Sequence, residues 1–285
     1  MEKEGYRLKV GMATFAMESK KLTECLEELA NFDFYYLELW AGRGRDYFHF
    51  PYRYPREVRR LKTLLNKWDL FPYSIHTPMF SEGLDSLDKE SRLKALREIK
   101  ESLKVLKDLG GEIGVIHPGG RFTPQTEERQ LYASLSSLLN LLEYSSQLGL
   151  RISVEVMFPE DIGSKIEHLL FFKENTPEEL GFCVDTGHAY SGGILEECIE
   201  VLGKRINHLH VHDTFKGRDA HLLLGEGEID WKRFIELLKS IDYHGVFMLE
   251  LRENSQLTLS EYLKKVKESL GKILGQTSVE LDFKP

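Results

Sequence analysis

Residues 208–230 read His208-Leu-His-Val-His-Asp-Thr-Phe-Lys-Gly-Arg-Asp-Ala-His221-Leu-Leu-Leu-Gly-Glu-Gly-Glu-Ile-Asp230 and contain four of the ten histidines of the chain. Because alternate side chains of a β-strand point to the same face, the first three of these histidines share one face of a predicted strand. The loop that follows carries Asp219-x-His221. Neutral imidazoles and carboxylates are the ligands that zinc, manganese and related divalent ions take in proteins. The stretch therefore predicts a strand that ends in a metal site, and the order of the surrounding segments decides the fold.

Predicted strands and helices alternate along the whole chain. Eight short apolar segments are typical of buried parallel strands, and they cover residues 9–12, 35–40, 71–76, 113–117, 151–157, 181–185, 206–212 and 246–251. Between and after them, apolar residues recur every three or four positions, as in amphipathic helices. These segments cover residues 21–31, 55–68, 93–106, 124–148, 162–174, 194–202, 231–241 and the region that follows Thr258. Eight strands that alternate with eight helices on a chain of 285 residues predict a single (β/α)8 TIM barrel.

Several helix ends carry their own signals. Pro55 suits the first turn of a helix, and Gly110 and Gly149 are predicted to end helices in the left-handed conformation. Thr258-x-x-Glu261 is a capping box that opens the last helix. One domain is therefore predicted over residues 1–285, of which residues 276–285 are expected to form a C-terminal tail.

Composition and charge exclude several classes of protein. No apolar run approaches the roughly 18 residues that a membrane span requires, and the first residues lack the apolar core of a signal peptide. The three cysteines are far apart, which fits reduced thiols and neither a disulfide framework nor a cysteine-based zinc site. The formal net charge of −8 gives no overall attraction to nucleic acid. We therefore expect a cytoplasmic protein that does not act at a membrane.

Metal-ligating residues recur where the predicted strands end, which is where reactive groups lie in a TIM barrel. Nine such residues fall at these ends or in the loops directly after them: His76, His117, Glu155, Asp185, His188, His210, Asp219, His221 and Glu250. Taken singly, each has an ordinary explanation as a loop residue or as the partner of an arginine. Together they predict a metal centre, because burying so many imidazoles and carboxylates without a cation carries a large desolvation cost. Their spacing alone does not choose between His210 and His212 as the ligand of the seventh strand.

The order of these residues resembles that of a known family. The motifs are His76-x-Pro78, His117-Pro-Gly119, Glu155, Asp185-Thr-Gly-His188, His210-x-x-Asp213, Asp219-x-His221 with Gly225-Glu-Gly227, and Leu249-Glu250. Over nearly its whole length the chain is similar to the xylose isomerase-like TIM barrel superfamily. That superfamily contains the endonuclease IV-like AP endonucleases (AP endonuclease family 2) and the sugar phosphate isomerases and epimerases. The resemblance implies that His210 is the metal ligand of the seventh strand, since His210 stands three residues before Asp213. His212 remains the alternative ligand.

The two branches of the superfamily imply different uses of the nine residues. In the endonuclease IV branch they hold three zinc ions, which activate water and bind a phosphodiester. In the isomerase and epimerase branch one divalent ion, such as Zn²⁺, Mn²⁺ or Co²⁺, is held by Glu155, Asp185, His210 and Glu250. There, Glu155 and Glu250 also move a proton at the carbon next to a carbonyl group, and His188 contacts the substrate.

Other features favour the sugar branch. Glu155 is followed by Val-Met-Phe-Pro159, whereas the endonucleases usually have an Asn-Thr-Ala-Gly type of loop there. Binding to duplex DNA requires several cations along the phosphate path, and the predicted rim loops carry few of them: Arg43, Arg45, Arg121, Lys216 and Arg218. We therefore predict a metal-dependent isomerase or epimerase of a small sugar or sugar phosphate. The alternative is an endonuclease IV-like zinc phosphodiesterase that acts on nucleic acid, and a metal-binding protein without catalysis is the third hypothesis.

Further residues are candidates for substrate contacts. Arg218 and Lys216 suit an anionic group of the substrate, and Trp40 and Phe80 suit the wall of a pocket. The aromatic segment at residues 47–52 fits a lid, a pocket floor, an oligomer contact or ordinary packing equally well. Members of the superfamily are often dimers or tetramers, so the resemblance also implies a possible homo-oligomer.

Overall fold

Eight parallel strands close into a barrel in the computed structural model, which describes residues 6–17, 19–41, 55–79, 83–275, 277 and 279–284. The barrel strands are β1 (Tyr6–Ala13), β2 (Tyr36–Trp40), β3 (Phe71–His76), β4 (Ile113–Ile116), β5 (Arg151–Glu155), β6 (Leu180–Asp185), β7 (Ile206–Val211) and β8 (Val246–Leu249). Strands that are neighbours in the chain are neighbours in the sheet, and β1 pairs with both β2 and β8. This closed ring confirms the predicted (β/α)8 barrel.

Helices surround the barrel and connect successive strands. In the described part of the chain they are α1 (Leu22–Asn31), α2 (Pro55–Lys67), α3 (Lys89–Leu109), α4 (Glu127–Leu148), α5 (Ile166–Asn175), α6 (Thr186–Gly192), α7 (Leu195–Leu202), α8 (Trp231–Ser240) and α9 (Leu259–Leu274). The predicted ends of α3 and α4 are confirmed, since Gly110 and Gly149 have φ values of 92° and 65°. Thr258 and Glu261 form the predicted capping box of α9.

The start of α5 differs from its prediction, because the helix begins at Ile166 and not at residue 162. The preceding residues form a loop in which the Gly163 N–H donates a hydrogen bond to His168 Nδ1 at 3.1 Å. Gly163 has a φ of 102°, which an α-helix does not contain. Ile162 is buried within this loop, and its apolar character extended the helical pattern falsely toward the amino terminus.

The short helix α6 was not predicted. It follows β6 without a connecting loop, because Asp185 both ends the strand and caps the helix. The Asp185 side chain accepts a hydrogen bond from the His188 N–H at 2.7 Å, which is the usual role of an aspartate at this position. The cap holds His188 one helical turn beyond the strand end.

Within the segment predicted as a C-terminal tail, residues Val279–Asp282 form a further strand, β9. This strand pairs in parallel with the first half of β1, where Tyr6 lies opposite Val279 and Lys9 opposite Asp282. A segment of four residues with alternating apolar and acidic side chains gives a weak strand signal in the sequence. The pairing adds β9 to the sheet beside β1, at the amino end of that strand.

The interior of the barrel changes from mainly apolar to polar along the barrel axis. One cluster of buried side chains is mainly apolar and consists of Ala13, Tyr36, Tyr73, Ile113, Val246 and Met248. Next to it the interior becomes polar: the Tyr73 ring lies 5.7 Å from the ring of His208, which is fully buried. A larger apolar core lies between the strands and the surrounding helices. None of the helices in the described residues combines the length and apolar character that a membrane span needs.

Candidate active site

Glu155 lies at the centre of a cluster of imidazoles and carboxylates at the carboxyl ends of the strands. It is only 1% exposed. One of its oxygens, Oε2, lies 3.1 Å from His117 Nε2 and 3.4 Å from His76 Nε2. The other oxygen, Oε1, lies 3.4 Å from the Nδ1 atoms of both His188 and His210. The carboxylate of Glu155 therefore joins two adjacent groups of potential metal ligands.

Four of the predicted ligands form a group with the dimensions of a metal site. The donor atoms of Glu155, Asp185, His210 and Glu250 all lie within 4.8 Å of one another. The distances from His210 Nδ1 are 3.4 Å to Glu155 Oε1, 3.4 Å to Glu250 Oε2 and 3.9 Å to Asp185 Oδ2. Two ligands at about 2.1 Å from a tetrahedral zinc ion are about 3.4 Å apart. The side chains therefore fit one divalent ion.

Three histidines of the cluster are oriented in the manner of metal ligands. Each places its Nδ1 against a backbone carbonyl oxygen: His76 at 3.0 Å from Thr77, His188 at 3.1 Å from Val156, and His221 at 2.8 Å from Glu250. When Nδ1–H donates to the carbonyl, the lone pair of Nε2 points into the cluster. Metal-bound histidines use their second nitrogen in this way, which fixes the tautomer and the ring orientation.

Asp219 and His221 lie beside each other at the rim. Asp219 Oδ1 is 3.1 Å from His221 Nε2 and 3.7 Å from His188 Nε2. His221 has a φ of 48°, an uncommon conformation for a residue with a side chain. The His221 carbonyl accepts a hydrogen bond from the Arg252 N–H at 2.9 Å, and this bond helps hold the strained backbone. Such strain is typical of functional sites.

Two of the buried donor atoms of the cluster lack hydrogen bonds that would stabilise them. Glu155 Oε2 and His210 Nδ1 are buried without a hydrogen-bond partner. Burial by itself raises the pKa of the Glu155 carboxyl, but the charges of His117 and His210 outweigh burial and hold this pKa well below its ordinary value. Burial lowers the pKa of the His221 imidazole, but its hydrogen bond with Asp219 and the charge of Glu250 raise that pKa to about 9. Protons and a metal ion therefore compete for the same nitrogen atoms.

His212, the reserve ligand of β7, occupies a different place from His210. Its Nε2 lies 3.1 Å and 3.2 Å from the two oxygens of Asp185, and its ring stacks on His221 with centroids 4.0 Å apart. A Cβ atom on Gly187 would overlap the His212 ring, so this position of the ring requires a glycine there. His212 also forms a group with His221 and Glu250 whose donor atoms lie within 4.8 Å of one another. The structure thus brings both histidines to the cluster, with His210 nearer to the central carboxylates.

Asp213 organises the loop that follows β7. Its Oδ1 accepts hydrogen bonds from the Thr214 N–H at 2.9 Å and the Ile229 N–H at 3.2 Å. Its Oδ2 accepts from the Gly225 N–H at 2.7 Å and from Trp231 Nε1 at 2.9 Å. The motifs His210-x-x-Asp213 and Gly225-Glu-Gly227 are therefore parts of one folded loop, which positions Asp219 and His221.

The candidate substrate contacts lie in two places. Trp40 is buried at the rim and packs edge-on against Phe15, which in turn lies 5.0 Å from the His221 ring. Arg218 and Lys216 lie in the exposed part of the loop after β7. The Lys216 side chain borders a groove with Tyr190, Glu196 and Glu228 on the outer side of this loop. Phe15 was missed in the sequence because its contact with Trp40 joins residues of different segments.

Some predicted residues lie outside the described part of the chain: Arg43, Arg45, Phe80 and the segment 47–52. Two histidines outside the predicted set of ligands, His168 and His244, lie in the described part of the chain. His168 is buried and lies 2.7 Å from Glu127 Oε1, and His244 is exposed and lies 2.9 Å from Asp242 Oδ1. Both are structural contacts away from the cluster.

Glu38 is the main residue of this region that sequence reasoning missed. It lies in β2 and is 1% exposed, with its carboxylate between His208 and His210. The available signal was a single carboxylate in the apolar strand Tyr36–Trp40, which is unusual for a parallel strand that is buried on both faces.

The comparison with known protein families agrees with this geometry. The sequence profile described as the xylose isomerase-like TIM barrel matches residues 26–273. The chain belongs to this family. The resemblance seen in the sequence motifs is thereby confirmed.

Relatives within the xylose isomerase-like family include proteins of both branches. An uncharacterized protein of Methanocaldococcus jannaschii, MJ1311, is 28% identical over 278 residues, covering 92% of each chain. A probable endonuclease 4 of Carboxydothermus hydrogenoformans is 28% identical over 236 residues, covering 76% of this chain and 83% of the relative. An L-ribulose 3-epimerase of a Methylomonas species is 24% identical over 219 residues, covering 74% of this chain and 75% of the relative.

Solved structures of xylose isomerase-like barrels superimpose over nearly the whole chain. A D-tagatose 3-epimerase-like protein has a TM-score of 0.79 at 25% identity and covers 95% of this chain and 99% of its own. The IolI protein, whose crystal structure contains a zinc atom, has a TM-score of 0.79 at 19% identity and covers 95% of this chain and 98% of its own. At that lower identity the likeness shows the shared fold.

Proposed function

We propose that the protein is a divalent-metal-dependent isomerase or epimerase of a small sugar or sugar phosphate. The observation that carries this proposal is the placement of two carboxylates, Glu155 and Glu250, each 3.4 Å from His210 Nδ1. Two carboxylates that flank one ion position can act on the two faces of a bound substrate. The names of the epimerase relatives support a sugar as the substrate class.

In this proposal the ion is held by Glu155, Asp185, His210 and Glu250. When bound, the ion polarises the carbonyl group of the sugar and so acidifies the neighbouring C–H bond. One of Glu155 and Glu250, in its ionised form, removes the proton from that carbon. The other, in its protonated form, returns a proton from the opposite side, which inverts the configuration.

Other side chains of the rim are assigned to the substrate. His188 presents Nε2 toward the cluster because its Nδ1 contacts the Val156 carbonyl oxygen. Trp40 and Phe15 form an aromatic wall beside His221. Arg218 and Lys216 are the proposed anchors of an anionic group, and their exposure leaves both side chains available to a ligand.

A second candidate function, an endonuclease IV-like phosphodiesterase, is favoured by one specific observation. The donor atoms of His76, His117 and Glu155 form a further group within 4.8 Å, which a one-ion isomerase does not need. Relatives named as probable endonuclease 4 agree with this alternative. A protein that binds metal without catalysis is the third candidate.

Counting bound metal separates the candidates. The full chain is stripped with a chelator, reconstituted with excess Zn²⁺, Mn²⁺ or Co²⁺, and measured by inductively coupled plasma mass spectrometry. The proposal predicts one tightly bound ion per chain and epimerisation of a ketose from the panel D-tagatose, D-allulose and L-ribulose. Three tightly bound zinc ions together with cleavage of an abasic-site duplex would establish the phosphodiesterase instead.

Hydrogen exchange tests the roles of the carboxylates. Turnover in deuterated water is predicted to place deuterium on the sugar carbon next to the carbonyl, and Glu250→Gln is expected to slow this exchange by about 10² to 10⁴-fold. Glu226→Gln is the matched control, because Glu226 is exposed in the loop after β7 and should exchange at the wild-type rate. Undiminished exchange in the metal-loaded Glu250→Gln variant would exclude Glu250 as an acid or base.

A further inference from the structure

The Glu38 carboxylate lies inside the barrel, directly beneath the proposed metal site. Its Oε2 accepts hydrogen bonds from Ser74 Oγ and from His208 Nε2, each at 2.8 Å. Its Oε1 lies 2.8 Å from His210 Nε2. All four residues, Glu38 included, are at most 1% exposed. The carboxylate therefore connects the middle of the barrel with the predicted metal ligand of β7.

The contact between Glu38 and His210 is close but incompletely formed. At 2.8 Å the two atoms are within hydrogen-bond distance, yet Oε1 and Nε2 both lack an aligned hydrogen bond. Hydrogen bonds of active sites are often poorly aligned before a ligand binds and improve when it does. The short distance and the burial of both atoms favour a proton on Nε2, because two lone pairs facing each other at 2.8 Å would repel.

A proton on His210 Nε2 determines what the other side of the ring can do. Neutral imidazole has one N–H donor and one lone pair. If Nε2 carries the proton, the lone pair lies on Nδ1, which faces Glu155 and Glu250 at 3.4 Å. This is the tautomer that a metal ion at the centre of those carboxylates requires.

We propose that Glu38 is a positioning residue for the metal ligand His210: it accepts the Nε2–H of the imidazole and so directs the Nδ1 lone pair to the ion. The inference rests on the metal site of the proposed function. Metal-bound histidines generally donate their second N–H to a carboxylate, a carbonyl or water. Here the acceptor is a carboxylate from a different strand, β2, so the orientation of the ligand depends on the closure of the barrel.

A second metal ion bound by Glu38, His208 and His210 is the competing explanation, since their donor atoms lie within 4.8 Å of one another. The hydrogen bond from His208 Nε2 already occupies Glu38 Oε2. With His208 Nε2 donating that bond, an ion at this place would find two protein donor atoms, Glu38 Oε1 and His210 Nε2, whereas zinc sites in proteins have at least three protein ligands. The hydrogen-bonded arrangement is favoured on this ground.

The test compares the affinity for Zn²⁺ of the wild-type chain and of Glu38→Gln, by competition with a chromophoric chelator. The expected result is a loss of about 10 to 100-fold, as is usual when such an acceptor is removed. Ser74→Ala is the matched control, because Ser74 binds the other oxygen of the same carboxylate, and its affinity should stay close to that of the wild type. Wild-type affinity in Glu38→Gln would overturn the proposal, even if that variant unfolds at a lower temperature.

Two further measurements distinguish a failure of the role proposed for Glu38 from a failure of the proposed function. In the zinc-loaded chain with ¹⁵N-labelled histidine, the signals of His210 should show a proton on Nε2, and a proton on Nδ1 would overturn the proposal without any variant. A second equivalent of Zn²⁺ that disappears in Glu38→Gln would show that Glu38 is itself a ligand and would also overturn it. If the wild-type chain binds no Zn²⁺, the proposed function fails and the role of Glu38 fails with it.

Discussion

Replacing Gly187 by alanine has two opposite effects on the free energy of unfolding. Gly187 lies in α6, and a glycine inside a helix costs roughly 1 kcal/mol relative to alanine. The added Cβ, however, would overlap the His212 ring, which is fully buried between Asp185 and His221. Forcing an extra methyl group into a well-packed interior costs about 1 to 3 kcal/mol. We therefore expect Gly187→Ala to leave the free energy of unfolding unchanged or to lower it by up to about 2 kcal/mol.

The control for this substitution is Gly271→Ala in α9. A Cβ atom at Gly271 would meet no atom within 4 Å, so only the helix effect remains and the variant should be more stable by up to about 1 kcal/mol. Both variants are compared by urea denaturation and by Zn²⁺ affinity. Displacement of His212 from Asp185 should weaken Zn²⁺ binding in Gly187→Ala and leave it unaffected in Gly271→Ala. Equal stabilisation of both variants with wild-type Zn²⁺ affinity would refute the described packing of His212 on Gly187.

Three further predictions concern the loop after β7, the last helix and pH. Asp213→Ala leaves four hydrogen-bond donors without their acceptor. We therefore expect it to lower the free energy of unfolding by roughly 3 to 5 kcal/mol, as measured by urea denaturation. A loss below about 1 kcal/mol would contradict the proposed role of Asp213. Thr258→Ala should cost about 1 kcal/mol through loss of the cap of α9, with unchanged Zn²⁺ affinity as the check that the effect is confined to stability. The pKa of His221 is raised from 6.5 to about 9, so its contribution to the stability of the metal-free chain is complete below pH 6.5 and is lost as the pH rises through 9. As the pH rises over the same range, the affinity for Zn²⁺ should increase, since fewer protons compete for His221 Nε2. Calorimetry with and without Zn²⁺ measures both the stability and the affinity. A Zn²⁺ affinity that does not change with pH would count against His221 as a ligand.

The order of the strands and the position of the cluster could be predicted from the sequence because both depend on local patterns. His76, Asp185 and Glu250 are each the last or nearly the last residue of an apolar segment, and the barrel geometry brings such positions together. The role of Glu38 could not be predicted in this way. Its contacts with β7 depend on the stagger of strands around the closed barrel, and periodicity within one strand does not contain that information.

Other features depended on contacts between distant segments. The loop before α5 looked helical because Ile162 is buried, although Gly163 ends the regular backbone there. β9 consists of four residues and is stabilised by pairing with β1 at the far end of the chain. Cytoplasmic location and a homo-oligomeric state stay predictions from the sequence.

The pairing of β9 with β1 has a consequence for how the chain is synthesised and folded. Lys9 lies opposite both Val246 of β8 and Asp282 of β9, so the first strand cannot obtain its full set of neighbours until residues 279–282 have left the ribosome. Domains generally fold as units, and contacts between residues far apart in sequence form slowly. β1 therefore remains incompletely paired until β9 has been synthesised, and an unpaired strand edge can pair with another chain and so promote aggregation.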